Sequence, residues 1–302
     1  MADRSHGGPL GPALALVFNA FVWGISWWPF RQLQAQGLHP LWTTAGIFVF
    51  SLICLLLVRP RVLREALAHP ALCWLALAAG LTNVGFNWAV TTGDVVRVVL
   101  LFYLMPAWAV LLAWLMLGER PTGGSLLRLV LALCGVVVVL DSGGAGLPLP
   151  KSLPDWLGLM GGFCFAVTNI LLRRLQHAPA GSRVLAMFVG GTVMAVFTAL
   201  LGMSQGLASA PVLHAGPALG YALVLAVAFL LGNVALQYGA ARLAAHTTAL
   251  IMLSEVVFAS ASSIWLGASQ TSPNTWVGGA LILAAAAWSA WPATGKSPSS
   301  AP

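Results

Sequence analysis

The stretch of sequence that decides the fold covers residues 245–266 and reads AHTTALIMLSEVVFASASSIWL. As a helix rising about 1.5 Å per residue, a stretch of this length crosses the hydrocarbon core of a bilayer. Glu255 then lies roughly 14 Å from the start of the helix, close to the middle of the membrane. A carboxylate at that depth costs several kcal/mol unless it is protonated, paired or facing a wet cavity. The stretch therefore predicts a transmembrane helix with one ionisable group near its centre.

The composition extends this prediction to the whole chain. Of the 302 residues, 59% are hydrophobic and 7% are charged, with a mean hydropathy of +0.90. Soluble domains carry about 25% charged residues, so this composition excludes the soluble classes. The apolar runs predict an all-α integral membrane protein with ten transmembrane helices, over residues 12–30, 41–58, 71–90, 95–117, 125–141, 155–174, 183–203, 217–237, 245–266 and 274–291.

The net charge of +7 is explained by membrane topology. With the N-terminus inside, eleven of the 14 Lys and Arg residues fall on the cytoplasmic side. The opposite side carries Arg31, Arg97 and Lys151. Because cytoplasmic loops are enriched in Lys and Arg, both the N and C termini are predicted to be cytoplasmic. The basic charge therefore does not indicate a nucleic-acid partner.

The two halves of the chain share a pattern of polar residues. Asn83 lies 150 positions before Asn233, and at the same shift Asn87 falls on Gln237. Continuing without a gap, the same shift places the fourth predicted span on the ninth. A shift of 142 aligns the first span with the sixth. This periodicity predicts a tandem duplication of five spans.

Because five is an odd number, the second copy enters the membrane in the opposite orientation to the first. The predicted domains are a first five-helix repeat over 1–147, a second, inverted repeat over 148–293, and a disordered tail over 294–302. Inverted repeats recur in secondary transporters, where the binding site lies near the bilayer midplane at the repeat interface.

Two further motifs are the element Phe21-Val22-Trp23-Gly24 and the series Tyr103-Leu104-Met105-Pro106 with Leu117-Gly118-Glu119-Arg120-Pro121. Together with ten spans in two inverted halves, these motifs resemble the EamA-type drug/metabolite transporter superfamily. The run VVRVVLLFYLMP, over 95–106, is similar to the bacterial branch that exports aromatic and hydrophobic amino acids. The resemblance implies export through a central cavity lined by spans one, three, four, six, eight and nine. The chain departs from the family where the second copy reads Leu-Gly-Ala-Ser over 266–269 in place of Leu-Gly-Glu.

Glu255 is the first candidate for function, because ionisable residues in the middle of a membrane are rare and costly. It is predicted to act as a protonatable or cation-pairing group; a neutral, hydrogen-bonded carboxyl is the alternative. His246, near the start of the same span, is a second candidate for a proton path, with an interfacial histidine as the alternative. Pro106 interrupts the fourth span and is the predicted hinge.

Polar and aromatic residues of the six cavity spans are the predicted substrate contacts. The amides are Asn19, Asn83, Asn87, Asn169, Asn233 and Gln237, and the aromatics are Trp23, Tyr103, Trp108 and Tyr238. For the amides, the alternative is hydrogen bonding between helices. For the aromatics, it is packing without substrate. Arg97 is expected either to pair locally with Asp94 or to dock a substrate carboxylate.

These features predict a secondary transporter of a bacterial inner membrane, an exporter or facilitator of aromatic or hydrophobic amino acids by alternating access. A proton-coupled exporter of drugs or other metabolites is the alternative. An intramembrane enzyme is remote, because the chain offers neither a nucleophile with a base nor a metal-binding pattern. No cofactor or metal is expected. The expected partners are a small-molecule substrate and the lipid bilayer, and a monomer suffices for transport in this architecture.

Overall fold

The computed structural model describes residues 10–118, 120–141, 149–211, 217–243, 245–269 and 272–290, and all regular structure in these ranges is helical. The helices are α1 (Leu10–Ile25), α2 (Trp27–Ala35), α3 (Pro40–Val58), α4 (Val62–Leu67), α5 (Leu72–Thr92), α6 (Val95–Phe102), α7 (Met105–Leu117), α8 (Gly123–Leu140), α9 (Leu153–Arg174), α10 (Ala180–Ser204), α11 (Pro217–Ala240), α12 (Ala245–Met252), α13 (Ser254–Trp265) and α14 (Pro273–Ala290).

Within the described ranges, nine helical segments are long and apolar enough to cross a membrane. They are Leu10–Ala35, Pro40–Val58, Leu72–Thr92, Val95–Met116, Gly123–Leu140, Leu153–Arg174, Ala180–Ser204, Ala218–Ala240 and Thr247–Trp265. The protein is therefore a multi-pass membrane protein. The predicted tenth span corresponds to α14, and the count of ten stays a prediction, as does the orientation of the termini. The boundary at 147 and the tail over 294–302 lie outside the described residues.

Three of the nine segments are broken near their middle. The first breaks at Ser26, the fourth at Tyr103 and Leu104, and the ninth at Leu253. Serine side chains take part in two of these breaks: Ser26 Oγ donates to the Trp23 carbonyl at 2.8 Å, and Ser254 Oγ donates to the Ile251 carbonyl at 2.7 Å. Such bonds offer the backbone an alternative to the helical ladder.

The break in the fourth segment has a different cause. Pro106 is the second residue of α7, so the predicted kink falls at a helix start and not inside a continuous helix. Proline has no N–H to bond the carbonyl four residues earlier, and its ring crowds that carbonyl. The Phe102 carbonyl therefore cannot continue the ladder, and α6 ends at Phe102.

The breaks in the fourth and ninth segments occupy equivalent places in the two halves of the chain. Helix α6 begins at Val95 and α12 begins 150 positions later at Ala245, and both are eight residues long. This is the shift that relates Asn83 to Asn233 in the sequence. The coincidence supports the predicted repeat, which remains a prediction for the domains as a whole.

The broken fourth and ninth segments each pack against the first helix of the other half of the chain. Helix α1 contacts α12 and α13, and α9 contacts α6 and α7. Both contacts depend on glycine: a Cβ on Gly24 would lie 2.7 Å from Phe258 Cβ, and one on Gly162 would collide with the Phe102 carbonyl. Small residues let transmembrane backbones approach closely. The two breaks are thus held at close range in the protein interior.

A partly buried ion pair holds the start of α6. The Arg97 guanidinium contacts both carboxylate oxygens of Asp155 at the start of α9, at 2.8 and 3.1 Å, and donates to the Val139 carbonyl at 2.8 Å. Asp94 instead caps α6, accepting from the Arg97 backbone N–H at 2.9 Å. The sequence suggested Asp94 as the partner of Arg97, but the guanidinium reaches an acid 58 positions away. The ion pair ties α6 to α8 and α9.

Candidate transport site

Tyr103 and Glu255 meet where the two broken helices come together. Tyr103 lies in the break between α6 and α7, and Glu255 is the second residue of α13. The Tyr103 hydroxyl is 3.2 Å from Glu255 Oε2. Both residues are buried, with 2% and 8% of their surfaces exposed. Among the residues that the structure describes, no cation lies within ion-pair distance of this carboxyl group.

The same hydroxyl reaches the end of α12. It lies 3.1 Å from the carbonyl oxygen of Met252, the last residue of that helix. In a continuous helix this carbonyl would accept from the N–H of Val256. Here the Val256 N–H donates to the Leu253 carbonyl at 3.1 Å. The Tyr103 hydroxyl is therefore within reach to donate to the Met252 carbonyl in its place. One side chain of the first half of the chain thus contacts both sides of the break in the second half.

A row of aromatic rings leads from Tyr103 across the protein interior. Successive ring centroids are 6.2 Å apart for Tyr103 and Phe102, 4.7 Å for Phe102 and Phe86, and 5.8 Å for Phe86 and Trp23. The row continues through Phe229, 4.6 Å from Trp23, to Phe30, with Phe165 as a branch 5.6 Å from Phe102. We call Phe30, Phe229, Trp23, Phe86, Phe102, Phe165 and Tyr103 the aromatic row.

The aromatic row and Glu255 draw on all six spans that the resemblance assigned to the cavity. Of its members, only Trp23 and Tyr103 were predicted as candidates from the sequence. Two other rings of the row could have been identified from the sequence by their neighbours. Phe86 lies between the candidates Asn83 and Asn87, and Phe102 directly precedes Tyr103. Phe30 and Phe229 could not have been identified in this way, because no pattern in the sequence distinguishes them from the other Phe residues, 13 in all.

The predicted amides of the third and eighth spans bind mainly to nearby groups. Asn83 donates to the Ala79 carbonyl at 2.8 Å, and Asn233 donates to Phe229 at 3.1 Å. Asn87 donates to Thr44 Oγ1 of α3 at 3.1 Å, while its own Oδ1 is buried without a partner among the described residues. Gln237 is exposed. Among the described residues, no hydrogen bond joins these four amides to Glu255.

Asn19 differs from the other amides. It is fully buried in α1, and neither its nitrogen nor its oxygen has a hydrogen-bond partner among the described residues. The side chain faces α11, where a Cβ on Gly232 would lie 3.3 Å from Asn19 Nδ2. An unpaired buried amide costs about 1–3 kcal/mol.

The other candidates are dispersed. Asn169 is exposed on α9. The Trp108 ring centroid lies 5.6 Å from that of Phe163, and its buried indole N–H has no partner in the described part of the chain. Tyr238 is 43% exposed, with the Arg242 guanidinium 4.0 Å from its ring centroid. His246 lies in the first turn of α12, and its side chain is outside the described part of the structure.

An open cleft of about 800 Å³ lies at one end of the helix bundle. It is lined by residues of α2, of the end of α5 and of the turns beside α6 and α13, including Arg31, Gln34, Thr91, Asp94 and Gly267. The Arg31 guanidinium lies 5.1 Å from the Trp27 ring centroid, and the Trp27 indole N–H donates to Ser262 Oγ at 3.0 Å. This bond joins α2 to α13 between the cleft and the level of Glu255.

Comparison with known proteins shows what the chain resembles. Residues 10–141 match the EamA-like transporter family. Protein RarD of Streptomyces exfoliatus is 25% identical over 291 residues, covering 91% of this chain and 87% of that protein. A protein of known crystal structure, 19% identical, superposes with a TM-score of 0.55 over 92% of this chain and 95% of its own, and so has a similar fold. Residues 10–141 of this multi-pass membrane protein are therefore similar to the EamA-like transporter family.

Proposed function

We propose that the protein is a secondary transporter that moves aromatic or hydrophobic amino acids out across a bacterial inner membrane by alternating access. The observation that carries the proposal is the meeting of two broken helices at Tyr103 and Glu255, at the end of the aromatic row. Broken transmembrane helices form the substrate and ion sites of many secondary transporters. The EamA match supports transport of small metabolites.

The proposed architecture is two inverted five-helix repeats with both termini cytoplasmic. The family match over residues 10–141 lies within the proposed first repeat and supports it. The second is supported by the equivalent positions of the α6 and α12 ends. Alternating access requires that the site open to one side of the membrane at a time, and movement of one half of the chain against the other around the two breaks would achieve this.

The aromatic row supports an apolar or aromatic substrate. Its rings meet edge to face or tilted, at centroid separations of 4.6 to 6.3 Å. Such contacts suit an inserted aromatic side chain equally well, since ring edges and faces attract one another in these geometries. A substrate entering between Trp23 and Phe86 would exchange ring contacts within the protein for ring contacts with the substrate. Glu255 would then meet the substrate ammonium, and Asn19 is a further polar contact.

A proton-coupled exporter of drugs or other metabolites is the second candidate. The observation that favours it is that Glu255 is buried beside a neutral hydroxyl, with no cation in contact among the described residues. A carboxyl group in that setting can exchange a proton or bind an organic cation. Both candidates are transporters and not enzymes.

Flux into proteoliposomes tests the proposal. Wild-type protein would be reconstituted and assayed for uptake and counterflow of radiolabelled Phe, Trp, Leu and Met, with and without a pH gradient. Glu255→Gln keeps the size of the side chain and removes its charge. Glu65→Gln is the matched control, because Glu65 is an exposed acid on the short helix α4.

The result expected is saturable exchange of aromatic and aliphatic amino acids that Glu255→Gln abolishes and Glu65→Gln leaves unchanged. Flux that follows the pH gradient, and loses this dependence in Glu255→Gln, would identify the carboxyl group as the coupling site. Absence of flux for every amino acid, together with pH-driven movement of organic cations, would overturn the amino-acid assignment in favour of the second candidate.

A further inference from the structure

The Tyr103 hydroxyl has two acceptors in reach and one proton to donate. The Met252 carbonyl lies 3.1 Å from it and Glu255 Oε2 lies 3.2 Å from it. A phenolic hydroxyl can donate one hydrogen bond and can also accept. The two contacts therefore cannot both be bonds donated by Tyr103 at the same time.

The protonation state of Glu255 decides how the conflict is resolved. When the carboxyl group carries a proton, it can donate to the Tyr103 oxygen, and Tyr103 can donate to the Met252 carbonyl. When the carboxyl group is ionised, it is an acceptor only, and bonds donated to an ionised group are the stronger ones. The Tyr103 proton then turns to Glu255, and the Met252 carbonyl loses its donor.

The Met252 carbonyl belongs to the break in the ninth segment. It ends α12, and Val256, its partner in a continuous helix, donates to Leu253 instead. Loss of the Tyr103 bond leaves this carbonyl without that donor inside the membrane, where an unsatisfied backbone group costs several kcal/mol. A change in backbone geometry between α12 and α13 can restore a partner to it.

We infer that Tyr103 is a positioning residue that transmits the protonation state of Glu255 to the helix break at Leu253. Protonation places the hydroxyl on the Met252 carbonyl and holds α12 and α13 in the angle seen here. Ionisation withdraws it and frees the break to bend. The inference deepens the proposed function and rests on it for its consequence in transport, although the hydrogen-bond exchange is measurable without transport.

The surroundings of Glu255 leave Tyr103 as the titratable group in contact with it among the described residues. Helices α1 and α14, which pack against α13 and α12, contain no ionisable side chain. Helix α6 contains Arg97, which is paired with Asp155. Helix α11 contains Tyr221 and Tyr238, and α12 contains His246, whose side chain lies outside the described part. A proton on Glu255 is therefore sensed first by Tyr103.

Infrared difference spectra recorded across a pH titration test whether the Tyr103 hydroxyl switches its hydrogen bond between Met252 and Glu255. The measurement uses the intact protein in lipid. The chain has seven Asp and Glu residues, so the carboxylic acid C=O band contains few components, and Glu255→Gln identifies the one from Glu255. Tyr103→Phe keeps the ring of the aromatic row and removes the hydroxyl. Tyr221→Phe is the matched control, because Tyr221 packs at 5.7 Å from Trp28, away from the break.

In Tyr103→Phe the Glu255 band is expected to move to higher frequency, as for a carboxylic acid that has lost a hydrogen-bond partner. Its pH midpoint is expected to move by on the order of one unit, the size of one hydrogen bond to an ionised group. The pH profile of transport should move with it. Tyr221→Phe should leave band, midpoint and profile unchanged.

Two results would overturn the inference. One is a Glu255 band that is identical in wild type and Tyr103→Phe, which would make Tyr103 a packing residue. The other is a band that moves while the pH profile of transport keeps its midpoint. A band that moves as expected in a protein without measurable amino-acid flux would contradict the proposed substrate and leave the hydrogen-bond exchange standing.

Discussion

The Tyr103 hydroxyl lies 3.2 Å from the Glu255 carboxyl group, although 152 positions of sequence separate the two residues. One residue belongs to the break of the fourth membrane segment and the other to the break of the ninth. The contact joins the ionisable group of one half of the chain to a side chain from the other half. Tyr103 is also the last ring of the aromatic row. A substrate bound among those rings would therefore lie next to the residue that contacts Glu255.

Gly24 provides a test of how α1 holds the break. A Cβ at this position would lie 2.7 Å from Phe258 Cβ and 2.8 Å from the Glu255 carbonyl. We expect Gly24→Ala to lower the free energy of unfolding by about 1–3 kcal/mol, the usual cost of overpacking, and to reduce transport. Thermal unfolding in detergent and proteoliposome flux measure the two effects.

Gly46 is the control for this substitution. It lies within α3, and a Cβ there would meet no atom within 4 Å. Because alanine is the better helix former, Gly46→Ala should raise stability by about 0.5–1 kcal/mol and leave transport unchanged. Equal effects of the two substitutions would contradict a packing role for Gly24.

The Arg97–Asp155 ion pair should matter for stability more than a surface pair does. Asp155 is 4% exposed and Arg97 is 25% exposed at the side chain, and the contact is bidentate. Removing one partner leaves the other charge without its counter-ion. Arg97→Gln or Asp155→Asn alone should therefore lower the free energy of unfolding by about 1–3 kcal/mol, less than for a fully buried pair because Arg97 is partly exposed. A double-mutant cycle from thermal unfolding should give a coupling above about 0.5 kcal/mol; additive effects would show that the pair contributes nothing.

Asn19 should trade stability for function. Its amide is fully buried without a partner among the described residues, so Asn19→Leu removes an unsatisfied group at similar volume. We expect the variant to be more stable by about 1–3 kcal/mol and to transport less. Gln205→Leu, at the exposed end of α10, should change neither quantity. A stabilised Asn19→Leu with full transport would remove Asn19 from the substrate contacts.

His39 predicts a pH dependence at the turn before α3. Burial lowers the pKa of this imidazole, against an opposing hydrogen bond with the Leu207 backbone, and His39 Nδ1 accepts from the Leu41 N–H at 3.3 Å. The unfolded state, with a pKa of about 6.5, then binds the proton more readily than the folded state. Stability should be fully present above that pH and fall as the pH is lowered through the folded-state pKa.

Thermal unfolding between about pH 5 and pH 8 measures this effect. His39→Gln should flatten the acid limb of the profile, and His177→Gln, at an exposed position after α9, should leave it as in wild type. An acid limb unchanged in His39→Gln would assign the pH dependence to other groups.

Much of the fold could be predicted because its signals are local. An apolar run of about 20 residues shows a membrane helix without reference to any other part of the chain, and nine of the predicted spans have such a helix. Breaks were harder. Pro106 predicts an interruption of its helix. Ser26 and Ser254 predict none, because serine side chains also bond to the backbone of continuous helices.

The candidate site was predicted in part. The place of Glu255 along one apolar run predicts, from the sequence alone, that a carboxyl group lies near the middle of the membrane. Tyr103 was predicted as a substrate contact, and only the tertiary structure decided that its hydroxyl reaches Glu255 and Met252. That contact depends on how deeply Gly24 and Gly162 let α1 and α9 seat against the broken helices. Depth along a helix is set by bonds within the chain, whereas the rotation and register of one helix against another are set by packing among many side chains at once.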